Sequence, residues 1–123
     1  MMKDIKVIQT DLLTNESNII YKGLSTFDQE NGIKIKYFEN SDIEVVIELI
    51  GNEGYLKRVS DEETHLNFDL NTQTSAYVKT KAGLILMEVK THDLSINEAY
   101  CQINYDLIQQ TQTIASFSLK VEW

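Results

Sequence analysis

Leu84-Ile85-Leu86-Met87-Glu88-Val89 is the most apolar run in the chain. Lys81-Ala82-Gly83 precedes it with a turn signal, and Thr91-His92-Asp93 follows it with a polar break. Six residues are too few for a buried helix but suit a strand that packs on one face and is half covered on the other. The run predicts a central strand with further strands arranged around it.

Outward from it, apolar residues alternate with polar ones over short stretches bounded by Gly, Asn and Asp. Ile33, Ile35 and Tyr37 alternate with Lys34 and Lys36, and Ile43, Val45, Ile47 and Leu49 alternate with Glu44 and Glu48. Leu66, Phe68 and Leu70 alternate with His65, Asn67 and Asp69. Ala115, Phe117, Leu119, Val121 and Trp123 form the clearest series and end the chain on an aromatic expected in the core. This period of two is that of a half-buried strand. Further strands are expected at 5–12, at 19–24 with Ile19 and Tyr21 on one face, at 55–60, and at 74–80 paired with 84–89. Asn31-Gly32 predicts a type I′ hairpin, and Gly51-Asn52-Glu53-Gly54 a second one. Proline is absent, so Gly, Asn and Asp must make the turns.

Residues 95–110 carry two signals. Ser95-Ile96-Asn97-Glu98 has the form of a helix capping box, and Ile96, Ala99, Tyr100, Ile103 and Leu107 fall at helical spacing. Ala99, Cys101, Ile103, Tyr105 and Leu107 also alternate strictly with polar or amphipathic residues, and the segment holds β-favouring Tyr and Ile, which favours a strand. About ten strands joined by short turns predict an all-β single domain over 1–123, an antiparallel up-and-down β-barrel, because closure buries the apolar face and removes exposed edges. A two-layer sandwich of the same strands is the alternative.

The chain has 123 residues, enough for one core, with 19 acidic and 11 basic residues and a net charge of -8. That charge repels phosphates and anionic lipid, and no basic patch offsets it, so neither nucleic acid nor a membrane is expected as partner. A single cysteine excludes an intrachain disulfide and fits a reducing, cytoplasmic setting. No run reaches the roughly 18 to 20 apolar residues needed to span a bilayer as a helix.

Tyr37-Phe38-Glu39, Leu56-Lys57-Arg58, the stretch 74–91 with Tyr77, Thr80 and Gly83, and Ile103-Asn104-Tyr105 stand in an order and spacing that resembles the YwiB-like family of small bacterial proteins of unknown function. The resemblance covers residues 5–123 and implies a calycin (lipocalin-like) β-barrel in a bacterial cytosol, with room for a small ligand. It supplies no reaction and no established site. Lys81-Ala82-Gly83 departs from the family, in which an aromatic precedes the glycine.

Chemistry-bearing residues are sparse. His65, His92 and Cys101 lie on separate segments without the paired spacing of a zinc site, so no metal and no cofactor is expected. Glu44, Glu48 and the acidic loop at Asp61-Glu62-Glu63 read as solvated surface, and no nucleophile stands near a base, so nothing points to catalysis. Arg58 stands out, because alternation with Lys57 points it inward, where a guanidinium must be paired by a carboxylate such as Glu39 or by a ligand's acidic group; the alternative sets it at a barrel rim, in water or in a structural salt bridge. Tyr37 and Tyr105 fall on the same inner face and would give apolar walls with hydrogen-bonding tips. Arg58, Glu39, Tyr37 and Tyr105 are the candidate ligand-binding residues of a non-catalytic barrel for a small amphiphilic or acidic molecule. The alternative is a filled barrel acting as a structural module or presenting loops or a strand edge to another protein. Composition leaves the oligomeric state open.

Overall fold

The computed structural model describes every residue from Met1 to Trp123. Ten strands follow one another without a helix: β1 (Met2–Asp11), β2 (Glu16–Asp28), β3 (Ile33–Asn40), β4 (Ile43–Ile50), β5 (Glu53–Val59), β6 (Glu63–Asp69), β7 (Thr74–Thr80), β8 (Gly83–Ile96), β9 (Tyr100–Gln109) and β10 (Gln112–Glu122). Each pairs antiparallel with the next, and β10 pairs with β1 from Lys6↔Glu122 to Asp11↔Phe117, closing an up-and-down barrel. The sandwich does not form.

Alternation decides which side chains enter. Val7, Ile33, Ile35, Val45, Ile47, Leu49, Phe68, Val89, Ile103 and Val121 are all at most 2% exposed. Each large aliphatic buried in this way contributes roughly 1.5 to 3 kcal/mol. Ile33, Leu49 and Phe68 are buried toward the barrel end reached by the β2–β3, β4–β5, β6–β7 and β8–β9 connections, and Trp123, half-buried, packs against the core at the same end. The Trp123 ring meets Phe27 edge-on at 4.9 Å, and its indole N–H donates to the Glu98 carbonyl at 2.9 Å.

Residues 95–110 hold no helix: β8 ends at Ile96, residues 97–99 turn, with Ala99 in the turn and not in the strand, and β9 runs Tyr100–Gln109. Asn97 accepts hydrogen bonds from the amides of Ala99 and Tyr100 through Oδ1, at 2.8 and 2.9 Å, so the polar residues that resemble a capping box make the β8–β9 turn instead. Asn31-Gly32 does not form a type I′ turn. The β2–β3 connection spans residues 29–32, and only Gly32 takes a positive φ, 87°, at a place where a Cβ would overlap the Leu49 carbonyl. The positive-φ pair is Gln110-Thr111, at 51° and 67°, joining β9 to β10. A β-branched residue is strained there. Replacing Gln110-Thr111 by Asn-Gly is therefore expected to stabilise the protein by about 1 kcal/mol, read as a higher midpoint in urea unfolding.

Two strands depart from simple alternation. The β1–β2 register shifts between Val7 and Ile8, so Ile19 pairs with Ile8 on the outer face and is 59% exposed, while Tyr21 turns inward opposite Val7. Strand β8 does not stop at Thr91 but continues to Ile96 through a register shift between Thr91 and Asp93. Its apolar first half is not a covered central strand, because Leu84, Ile85 and Leu86 are 58%, 44% and 66% exposed. The run ranks first in hydropathy, but the neighbouring strand β9 ends before it.

Outside the barrel, Asp106 ties three strands together. It accepts from Ser116 Oγ at 2.6 Å and contacts His92 Nε2 at 2.8 Å. Partial desolvation pushes its carboxyl up, but the Ser116 and His92 hydrogen bonds outweigh this and hold it below the ordinary range. A depressed carboxylate contributes stability that is present above its unfolded pKa and lost as pH falls through its folded pKa. Asp106→Asn is expected to flatten the acid limb of stability against pH, measured by urea unfolding at a series of pH values, with no added slope above neutrality.

Candidate functional site

The barrel is packed at one end and hollow at the other. A cavity of about 410 Å³ lies toward the end carrying the β1–β2, β3–β4, β5–β6, β7–β8 and β9–β10 turns, and 11 of its 15 lining residues are hydrophobic. Val45, Leu56, Leu66, Met87, Leu107 and Leu119 supply much of the wall. Val45, Leu66 and Leu119 belong to the buried core and border the cavity, while Leu56, Met87 and Leu107 are partly buried and pack against that core.

All four candidate residues line this cavity. Strand β5 sets Leu56 and Arg58 inward opposite Ile47 and Val45 of β4, as alternation with Lys57 requires. Glu39, near the end of β3, receives Arg58 Nε at 3.2 Å on Oε1 and a terminal nitrogen at 3.0 Å on Oε2. This two-point ion pair raises the guanidinium pKa, chiefly through the Glu39 hydrogen bond. The side chains are 40% and 22% exposed, so the pair sits at the mouth and not in the core.

Tyr37 and Tyr105 lie deeper, at 3% and 5% exposed. Burial pushes both phenols up, Tyr105 to about 12, and for Tyr37 the Glu39 carboxylate adds to burial while Arg58 opposes it. Both are neutral hydrogen-bonding groups at physiological pH. Neither hydroxyl bonds to a protein group, yet no fully buried side-chain oxygen or nitrogen lacks a partner, so both hydroxyls reach accessible space in the cavity they line. The same holds for the amide of Gln9 and the hydroxyl of Thr64. These two escaped the sequence reading, although each left a signal: Gln9 continues the inward series Ile5, Val7, and Thr64 begins the series Leu66, Phe68. A polar residue on an otherwise apolar inner face marks a cavity.

Strands β2 and β3 pair over only three residues, Thr26↔Lys36 to Asp28↔Lys34, at the packed end. Beyond them Tyr21 fills the seam, its ring stacked on Tyr37 at 4.3 Å and its hydroxyl donating to the Leu24 carbonyl at 2.6 Å. Gly23 leaves room for that phenol, since a Cβ there would stand 2.9 Å from the Tyr21 oxygen. Ile20, on the same stretch of β2, lines the cavity and is 40% exposed.

The remaining candidates do not converge. His65 lies on the outer face between Tyr55 and Tyr77, 5.6 and 5.4 Å from their rings. Cys101 is 1% exposed, and burial pushes its thiol up to about 12, which leaves it unreactive. No group of three or more His, Cys, Asp or Glu side chains is placed to hold a metal.

The sequence profile of a domain of unknown function, DUF1934, matches residues 4–121. The crystal structure of the YwiB protein from Bacillus subtilis superposes with a TM-score of 0.63 at 14% identity, over 98% of this chain and 89% of that one. At that identity the likeness shows the fold alone. No curated protein matches.

Proposed function

We propose, for a chain that belongs to the DUF1934 family, that the hollow end of the barrel binds a small amphiphilic molecule without catalysis. One observation carries the reading: a cavity of about 410 Å³ with mainly apolar walls, whose inward polar groups Tyr37, Tyr105, Gln9 and Thr64 have no protein partner. The volume lies in the range of small-molecule sites, roughly 300 to 1,000 Å³. The apolar body of the ligand rests against Leu66, Met87, Leu107 and Leu119. Its head meets the phenols and the N–H groups of Arg58 that Glu39 leaves free. An acidic head competes with Glu39 for the guanidinium, so the site takes a carboxylate or sulfonate at the mouth by sharing Arg58. A cytoplasmic bacterial setting fits the lone buried cysteine.

Native mass spectrometry of freshly purified protein tests this reading. A small molecule held by the native chain, released on denaturation and absent from Leu66→Trp, which fills the cavity, is the expected result. A molecule retained equally by Leu66→Trp would place binding elsewhere.

A further inference from the structure

Strands β2 and β3 diverge on leaving the packed end. Their ladder stops at Thr26↔Lys36, so residues 16–25 of β2 have β1 alone beside them and residues 37–40 of β3 have β4 alone. The Phe27 amide donates to the Met1 carbonyl at 2.8 Å, which sets the backbone groups of Phe27, Ser25 and Gly23 toward β1 and those of Thr26 and Leu24 toward β3. Leu24 and Phe38 would form the next hydrogen-bonded pair of the β2–β3 ladder, but Tyr21 intervenes and its hydroxyl takes the Leu24 carbonyl. The result is a slot in the barrel wall that runs from the last β2–β3 pair to the rim of the hollow end. A side chain and not a ladder closes it. Tyr21 is held there by its stack on Tyr37, its bond to Leu24 and partial burial against the core.

We propose, on the reading of the hollow end as a ligand site, that this slot is the entrance to the cavity and that Tyr21 is its gate. An apolar path crosses the wall here. Leu24 and Phe38 flank the slot on the outer face at 57% and 51% exposed, and Ile20 borders both solvent and the cavity. On the inner side the slot is bordered by Tyr37 and Glu39 of β3, which line the cavity beside Arg58. Because the slot opens onto the rim, an amphiphile enters broadside, its apolar body crossing between Leu24 and Phe38 while its charged head stays in water until it reaches Arg58. Entry along the barrel axis would take the apolar body past the charged Arg58–Glu39 pair first. Gly23 supports the closed position, since any Cβ there would press on the Tyr21 hydroxyl.

Stopped-flow binding of anilinonaphthalene sulfonate tests the gate. Tyr21→Ala removes it, and association and dissociation are both expected to quicken on the order of 10-fold, since one barrier governs both directions. A second arm closes the slot without touching Tyr21. Leu24→Cys with Phe38→Cys, joined by a bis-maleimide whose linker holds a reducible disulfide, is expected to slow both rates on the order of 10-fold, and dithiothreitol should restore them. Cys101 is 1% exposed, so the crosslinker meets only the two new thiols. Dye bound equally by Leu66→Trp overturns the cavity reading, and the entrance with it. Dye that Leu66→Trp excludes, yet whose rates in the bridged protein match those after reduction, overturns the entrance alone and leaves the end of the barrel as the way in.

Discussion

Arg58→Ala is expected to weaken capture of an acidic amphiphile on the order of 10- to 100-fold, the loss of one charge-assisted contact worth roughly 1.5 to 3 kcal/mol. Stability should fall by about 1 kcal/mol or less, because the Arg58–Glu39 pair is 40% and 22% exposed and its breakage strands no buried charge. Had Glu39 been enclosed, the same substitution would cost about 3 to 5 kcal/mol. Glu39→Gln gives the opposite binding result, since it leaves the guanidinium free for the ligand and should strengthen capture. Isothermal titration with anilinonaphthalene sulfonate, alongside thermal unfolding of both variants, separates the two effects. A large stability loss with unchanged dye affinity would make Arg58 a structural residue.

Phe68→Ala should cost about 3 to 5 kcal/mol in urea unfolding, the range for deleting a buried aromatic. Its ring is 1% exposed and packs against Tyr105 at 5.1 Å in the filled half of the barrel. Met87→Ala is expected to cost markedly less. Its side chain already borders empty space, so its removal enlarges a cavity without creating one. Equal losses at the two positions would mean that the barrel is packed throughout.

Period-two alternation was enough to place most strands and their inner faces. Ile33, Ile35 and Tyr37, or Val45, Ile47 and Leu49, admit one orientation once a core exists, because a slip of one residue would bury lysines and glutamates. It also pointed Arg58 inward, and Glu39 was the carboxylate named for it. What stayed hidden depends on where neighbouring strands end. Residues 84–87 read as central because hydropathy carries no information about partners, and their exposure follows from β9 stopping at Gln109. Turn chemistry misled in both directions: Asn31-Gly32 lies in a longer connection, and the strained pair is Gln110-Thr111, which carries no turn signal. The face of Ile19 was missed because a register shift beside Val7 leaves no mark in composition. The hollow was foreshadowed only by Gln9 and Thr64, polar residues that alternation places indoors.

The central claim is that the hollow end holds the ligand, and chemical-shift mapping with anilinonaphthalene sulfonate tests it most directly. Methyl shifts at Val45, Leu66, Leu107 and Leu119, with Ile33, Ile47, Leu49 and Val121 of the packed end unmoved, are the result expected. Shifts confined to the exposed Leu84, Leu86 and Ile114, with the cavity wall silent, would contradict it.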